Sequence, residues 1–151
     1  MSSAYPDTSF LLSLYTPRPS SAIAGEIFAA IEDPITVTNF LLYEFENAAR
    51  QAAWLHSRDK HKGFPTLVAQ TAIACLEADI DEGSVEIAPC DFESVIETAR
   101  RISNSRTWRE GYRAFDLFHV ATSRHLKIKR FLTLDIAQRR LAESEGLEVG
   151  P

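Results

Sequence analysis

The sequence predicts a three-layer α/β fold, with a single five-stranded, mostly parallel sheet flanked by helices. Three observations predict it. Five short apolar or β-branched runs recur along the 151 residues, and segments of helical period separate them. Ser, Asp and Gly stand where helices would start and stop. Strands joined through helices favour parallel neighbours with helices on both faces.

The elements follow in order. A first strand is expected near Ser3–Tyr5, then a short helical turn, "TSFLLSLY", and a loop, "TPRPSS", punctuated by two prolines. Ser20 or Ser21 opens a helix that runs to about Glu32. "PITVT" is a second strand. From Asn39 to about Ser57, Leu42, Phe45, Ala49, Ala52 and Ala53 recur at near-helical spacing. "SRDKHKGFP" breaks that helix, and a long one follows from Thr66 to about Glu82, stopped by Gly83. "SVEIA" gives the third strand, and Asp91 caps the helix "FESVIETARRIS". "NSRTWREGYR" is expected to be a polar, basic connection. A helix over Phe115–Leu126, the strand "RFLTL", a helix over Ile136–Glu145, Gly146 as its stop and a strand near Leu147–Val149 complete the chain. Residues 1–151 are read as one domain, with no repeat and no linker.

An apolar fraction of 45% and a charged fraction of 25% suit a globular domain with its own core. The two cysteines, Cys75 and Cys90, form no C-x-x-C pair and are expected as small core hydrophobes. No basic leader opens the sequence and no apolar run reaches membrane-spanning length, so a cytoplasmic location and no membrane partner are expected. A net charge of −5 is not the footprint of a nucleic-acid binder, but its distribution is uneven. Of 16 Lys and Arg residues, 11 lie between Arg100 and Arg140, where only Glu110, Asp116 and Asp135 are acidic. That third of the chain can meet phosphates.

In parallel sheets ligands bind beyond the carboxyl ends of the strands, which gives the acids their interest. Asp7 follows the first strand and Asp135 the fourth; Glu44 lies about one and a half turns into the helix after the second strand. Each acid alone reads as a helix cap or a first-turn acid. Together they read differently, because Glu44 sits among Leu41, Leu42, Tyr43 and Phe45, and Asp116 between Phe115 and Leu117. Partly buried carboxylates need partners, and clustered ones must protonate or bind a cation. Acids without thiolates favour a hard divalent ion, Mg²⁺ or Mn²⁺, and such a centre suits phosphodiester hydrolysis. No nucleotide-binding glycine motif, H-E-x-x-H or G-x-S-x-G offers another chemistry.

Four ordered motifs carry a resemblance: "DTS" (Asp7, Thr8, Ser9), "TNFLLYE" from Thr38 to Glu44, "DLFHVA" from Asp116, and "TLD" from Thr133 to Asp135. With them the chain resembles the PIN-domain ribonucleases, especially the VapC-type toxins of toxin–antitoxin pairs. The resemblance covers nearly the whole chain. It implies a five-stranded parallel sheet, cleavage of RNA to 5′-phosphate and 3′-hydroxyl ends, and Mg²⁺ or Mn²⁺ as cofactor. By position it makes Asp7, Glu44, Asp116 and Asp135 the catalytic acids, with Asp7, Asp116 and Asp135 on the metal. It makes Thr8 or Ser9, and Thr133, supporting hydroxyls. A cognate antitoxin and a homodimer are the implied protein partners. An RNA-binding or protein-binding module that does not cut is the alternative from another class, and a small-molecule phosphatase a third.

Pro6 departs from the family, which has an aliphatic residue there; proline removes a ladder donor from a central strand. Glu46 rivals Glu44 but points about 200° away around the helix. His119, one turn after Asp116, is expected to be a packed or hydrogen-bonding residue and not a ligand. Arg106, Arg109 and Arg113 surround Trp108 and Tyr112, and basic residues interleaved with aromatics suit single-stranded RNA. The helices "LLYEFENAARQAAWL" and "TLVAQTAIACLEA" carry surplus apolar surface, so Phe45 or Trp54 is expected to pack against a second copy.

Overall fold

A computed structural model describes residues 3–150. Five strands alternate with seven helices: β1 (Ala4–Pro6), α1 (Thr8–Tyr15), α2 (Ser21–Ala29), β2 (Ile35–Val37), α3 (Asn39–Arg58), α4 (Thr66–Glu82), β3 (Val85–Ile87), α5 (Phe92–Glu110), α6 (Ala114–His125), β4 (Arg130–Leu132), α7 (Ile136–Ser144) and β5 (Glu148–Gly150). The strands form one parallel sheet in the order β3-β2-β1-β4-β5. Helices α1 to α4 pack among themselves, and α5, α6 and α7 form a second group, so the sheet is the middle of three layers.

Short strands suffice because the sheet is buried at its centre. Tyr5, Ile35, Val37, Phe131 and Leu132 are fully covered, and Phe10, Leu11, Leu41, Ile102 and Leu141 meet them from the helices. Side-chain caps set the helix starts. Asp7 accepts from the Phe10 amide, Thr38 from Leu41, Asp91 from Ser94 and Asp135 from Gln138. Ser20 precedes α2 but its hydroxyl bonds to Ser13 at 2.7 Å instead of capping.

Pro6 lies inside β1, opposite Leu132. The ladder to β4 survives because it is the next residue, Asp7, whose amide donates to the Leu132 carbonyl at 2.9 Å. Successive strand residues point their amides to opposite neighbours, so the missing donor of Pro6 falls on the β2 side, where Ala4 and Ile35 pair.

Three expectations are corrected. The segment Asn104–Glu110 is the last two turns of α5, not a connection, and Gly111, at φ 67°, is where the helix stops. Nothing between Ser103 and Glu110 breaks a helix; the stretch is polar because it is exposed. Phe45 belongs to the inward stripe Leu41, Phe45, Ala49, Ala53 and is fully buried, so it cannot meet a second copy; Trp54 stands 57% exposed. Cys75 is exposed because Ala69, Ala72 and Leu76 make the inward stripe of α4, and Cys90 is half-buried.

Candidate functional site

From β1 the chain moves one way across the sheet to β2 and the other way to β4. The carboxyl ends of β1 and β4 therefore flank the switch point, where such sheets open a crevice. Asp7 leaves β1 there, and Thr133 and Asp135 leave β4. The Asp7 carboxylate is almost fully buried. Its Oδ1 accepts from the Ser9 hydroxyl at 2.6 Å and the Phe10 amide at 2.9 Å, and its Oδ2 accepts from the Thr133 hydroxyl at 2.5 Å. Burial raises its pKa above the ordinary carboxylate value, with the Ser9, Thr133 and Phe10 hydrogen bonds working against that rise. Thr133 Oγ1 in turn accepts from the Asp135 amide at 3.1 Å, and Asp135 Oδ1 accepts from the Gln138 amide at 2.8 Å. Ser9 Oγ accepts from the Leu134 amide at 3.2 Å. Two hydroxyls thus stitch the two strand ends together.

On the other side of this edge a cleft of about 290 Å³ is lined by Glu44, Arg113, Ala114, Phe115 and Asp116. Glu44 reaches it from the second turn of α3 and meets the buried His119 imidazole, with Nε2 2.5 Å from Oε2. Burial pushes the Glu44 pKa up, but the hydrogen bond from His119, the Thr8 hydroxyl and the nearby Arg113 outweigh it and hold the group below its ordinary value. Asp116, in the first turn of α6, pairs with Arg113 Nε at 3.0 Å. Its backbone carbonyl accepts from Gln138 Nε2 at 3.1 Å, which joins the cleft to the Asp135 side. The Arg113 guanidinium interacts first with Asp116 and also with the charges of Asp135 and Glu44.

The other residues singled out from the sequence fall as follows. Glu46 pairs with Arg50 at 3.1 Å on the outer side of α3. Arg106 is held at 2.9 Å by Glu145 and at 2.8 Å by the Ser144 carbonyl, at the far end of α7 from Asp135, about 14 Å along the helix. Arg109 and Trp108 are exposed. Thr8 Oγ1 is buried without a hydrogen bond of its own, although it stands beside Glu44.

The donor set is entirely carboxylate and hydroxyl oxygen, with one buried hydroxyl left unpartnered, which is the chemistry a hard divalent ion takes. Among the described residues no three His, Cys, Asp or Glu side chains close around one point. Each acid is engaged by its own donor: hydroxyls for Asp7, an imidazole for Glu44, a guanidinium for Asp116 and a backbone amide for Asp135.

Residues 4–144 match the PIN domain family. The chain belongs to the PIN-domain family. Its fold is shared with solved structures of low sequence identity. VapC20 of Mycobacterium tuberculosis, described as a sarcin-ricin loop cleaving toxin, is 21% identical, with a TM-score of 0.66 over 99% of this chain and 100% of that one. VapBC-1 of nontypeable Haemophilus influenzae is 14% identical, with a TM-score of 0.64 over 97% and 96%. FitAcB of Neisseria gonorrhoeae is 14% identical, with a TM-score of 0.59 over 98% and 96%. No curated protein sequence matches the chain.

Two residues at the edge of this PIN domain escaped the sequence reading. Gln138 stands three residues after the cap Asp135, the spacing of a capping box, so its pattern was legible. Tyr5, whose hydroxyl lies 3.0 Å from His119 Nδ1, left no trace in the sequence beyond an aromatic in a buried strand.

Proposed function

We propose that the chain is a Mg²⁺- or Mn²⁺-dependent endoribonuclease and the toxin of a toxin–antitoxin pair. The observation that carries this reading is the buried Asp7 carboxylate at the switch point, tied through Thr133 to Asp135. Burial opposes its charge, and a cation shared with Asp116 and Asp135 gives that charge a purpose. A divalent ion bound there supplies neutralisation of an RNA phosphate and a more acidic water. Ser9 and Thr133 hold the Asp7 carboxylate in place, Thr8 offers its hydroxyl, and Glu44 and Asp116 wall the cleft that receives the phosphate. Arg113 and Arg109 meet neighbouring phosphates; Arg106 leaves this set because Glu145 holds it.

Family membership supports an antitoxin partner and a cytoplasmic place of action; no described helix is long and apolar enough to cross a membrane. A second copy would pack on the face of α3 and α4 that exposes Trp54 and Leu67. The test is cleavage of a mixed RNA pool, with a sarcin-ricin loop fragment included, by purified protein in Mn²⁺ or Mg²⁺. Cleavage should stop in chelator and in Asp116→Asn. RNA bound by the wild type but left intact under every metal condition would instead make the chain a non-cleaving module.

A further inference from the structure

Asp116 is held by an exposed guanidinium, Asp135 by a backbone amide, and Asp7 by two hydroxyls and a backbone amide. Glu44 is held from the interior, by an imidazole that is 2% exposed. His119 lies among Tyr5, Phe40 and Phe118, whose ring centres are about 6 Å from its own, so no water competes for its nitrogens. Its Nδ1 is 3.0 Å from the Tyr5 hydroxyl and its Nε2 2.5 Å from Glu44 Oε2. These contacts dictate the hydrogens. An ionised carboxylate only accepts, so Nε2 must carry a proton toward Glu44. The Tyr5 hydroxyl is fully buried, which keeps it protonated; of the two hydroxyls near it, Thr122 already donates to the Phe118 carbonyl at 2.8 Å, and Thr38, which accepts from the Leu41 amide, keeps its own hydrogen to donate to the Tyr5 oxygen. Tyr5 therefore donates to Nδ1, and the neutral imidazole is locked with its hydrogen on Nε2. The Thr8 hydroxyl stands beside the Glu44 carboxylate, and the residue lines the acidic cleft.

We propose that Tyr5 and His119 are a positioning pair for Glu44: strand β1 sets the tyrosine, the tyrosine sets the imidazole tautomer, and the imidazole fixes one carboxylate oxygen while the other faces the cleft. The inference rests on the reading of that cleft as a ribonuclease site. Neither residue touches the substrate. Both act through Glu44, as the outer partners of a ligating or catalytic carboxylate do.

The first readout does not depend on activity. Long-range ¹H–¹⁵N correlation of histidine side chains, near neutral pH in chelator, should show His119 in the neutral Nε2–H form. In Tyr5→Phe, which keeps the shape of the core, that single tautomer should be lost. The second readout is kinetic. Tyr5→Phe should lower kcat by about 10- to 100-fold with KM for RNA unchanged within about twofold. His119→Gln, which can still donate toward Glu44, should keep at least about tenfold more activity than His119→Leu. An Nδ1–H imidazole in the wild type, an unchanged kcat in Tyr5→Phe, or equal loss in the Gln and Leu variants overturns the positioning role. A wild type that cuts no RNA overturns the functional reading instead, and the tautomer still decides whether Tyr5 and His119 lock Glu44.

Discussion

Replacing Asp7 separates two jobs of one carboxylate. As a cap, Asp7 satisfies the Phe10 amide at 2.9 Å; as a buried charge, it is disfavoured by its surroundings. Alanine removes both. Loss of the cap costs about 0.5–2 kcal/mol. The Ser9 and Thr133 hydroxyls lose their acceptor, and since they stand 3.3 Å apart they recover part of that by bonding to each other. A total of about 1–3 kcal/mol is expected, which at about 2–4 °C per kcal/mol for a chain of this size lowers Tm by roughly 2–12 °C. Asparagine keeps the cap and the Ser9 contact, turns an amide toward Thr133, and removes the charge. It should match or exceed the wild type in chelator. The pH dependence has a definite sign. The folded pKa of Asp7 is raised, so its contribution to stability is complete below the unfolded pKa and is lost as pH rises through the folded value. The advantage of Asp7→Asn should therefore grow from acid to alkaline pH. With metal at ten times its dissociation constant the wild type gains about 1.4 kcal/mol, and the asparagine variant much less. Calorimetric melts of the three proteins across pH, in chelator and in Mn²⁺, measure all of this. If Asp7→Asn falls as far as Asp7→Ala in alkaline chelator, the buried charge is not disfavoured and this account of Asp7 fails; if Asp7→Asn only matches the wild type at every pH and Mn²⁺ raises the two equally, the carboxylate is a cap and nothing more.

Glu44 has the opposite sign: its folded pKa is lowered, so its stabilisation is present above the unfolded pKa and lost as pH falls through the folded value, and urea melts should show Glu44→Gln losing less stability than the wild type in acid. Arg113→Ala, at a side chain 77% exposed, should change stability by less than about 0.5 kcal/mol, yet weaken RNA binding and reduce the salt slope by about one. Arg106→Ala should do the reverse, lowering Tm by a few degrees through the loss of the Glu145 pair while leaving RNA affinity unchanged in a salt titration. Gly63→Ala should cost at least about 1 kcal/mol in denaturant melts, because φ is +57° and a Cβ would lie 1.9 Å from the Ala52 carbonyl oxygen.

What the sequence disclosed follows from how local each feature is. Asp7, Asp91 and Asp135 all cap helices within three residues of themselves, and a cap written as a short motif is visible without a fold. Gly83 and Gly146, at φ 86° and 80°, mark helix ends in the same way. The end of α5 was misjudged because polarity was taken for irregularity, when one side of that helix faces solvent. The ion pair of Arg106 was hidden for a different reason: its partner, Glu145, is 39 residues away, and no spacing rule reaches that far. The same holds for Tyr5 and His119, 114 residues apart, whose contact exists only once β1 lies under α6.

The hydrogen bond from Thr133 to Asp7 spans 126 residues of chain, and β1 can have β4 as its neighbour only after the whole of the intervening chain has been made. At about 5–20 residues per second, a ribosome needs roughly 6–25 s to travel from one to the other. Throughout that interval the emerging polypeptide carries Asp7 without its partner strand, and long-range parallel pairing is slow even afterwards. Whatever the acidic edge does, it cannot do it during synthesis: the machinery and the message that make the chain are out of its reach until translation has passed the fourth strand.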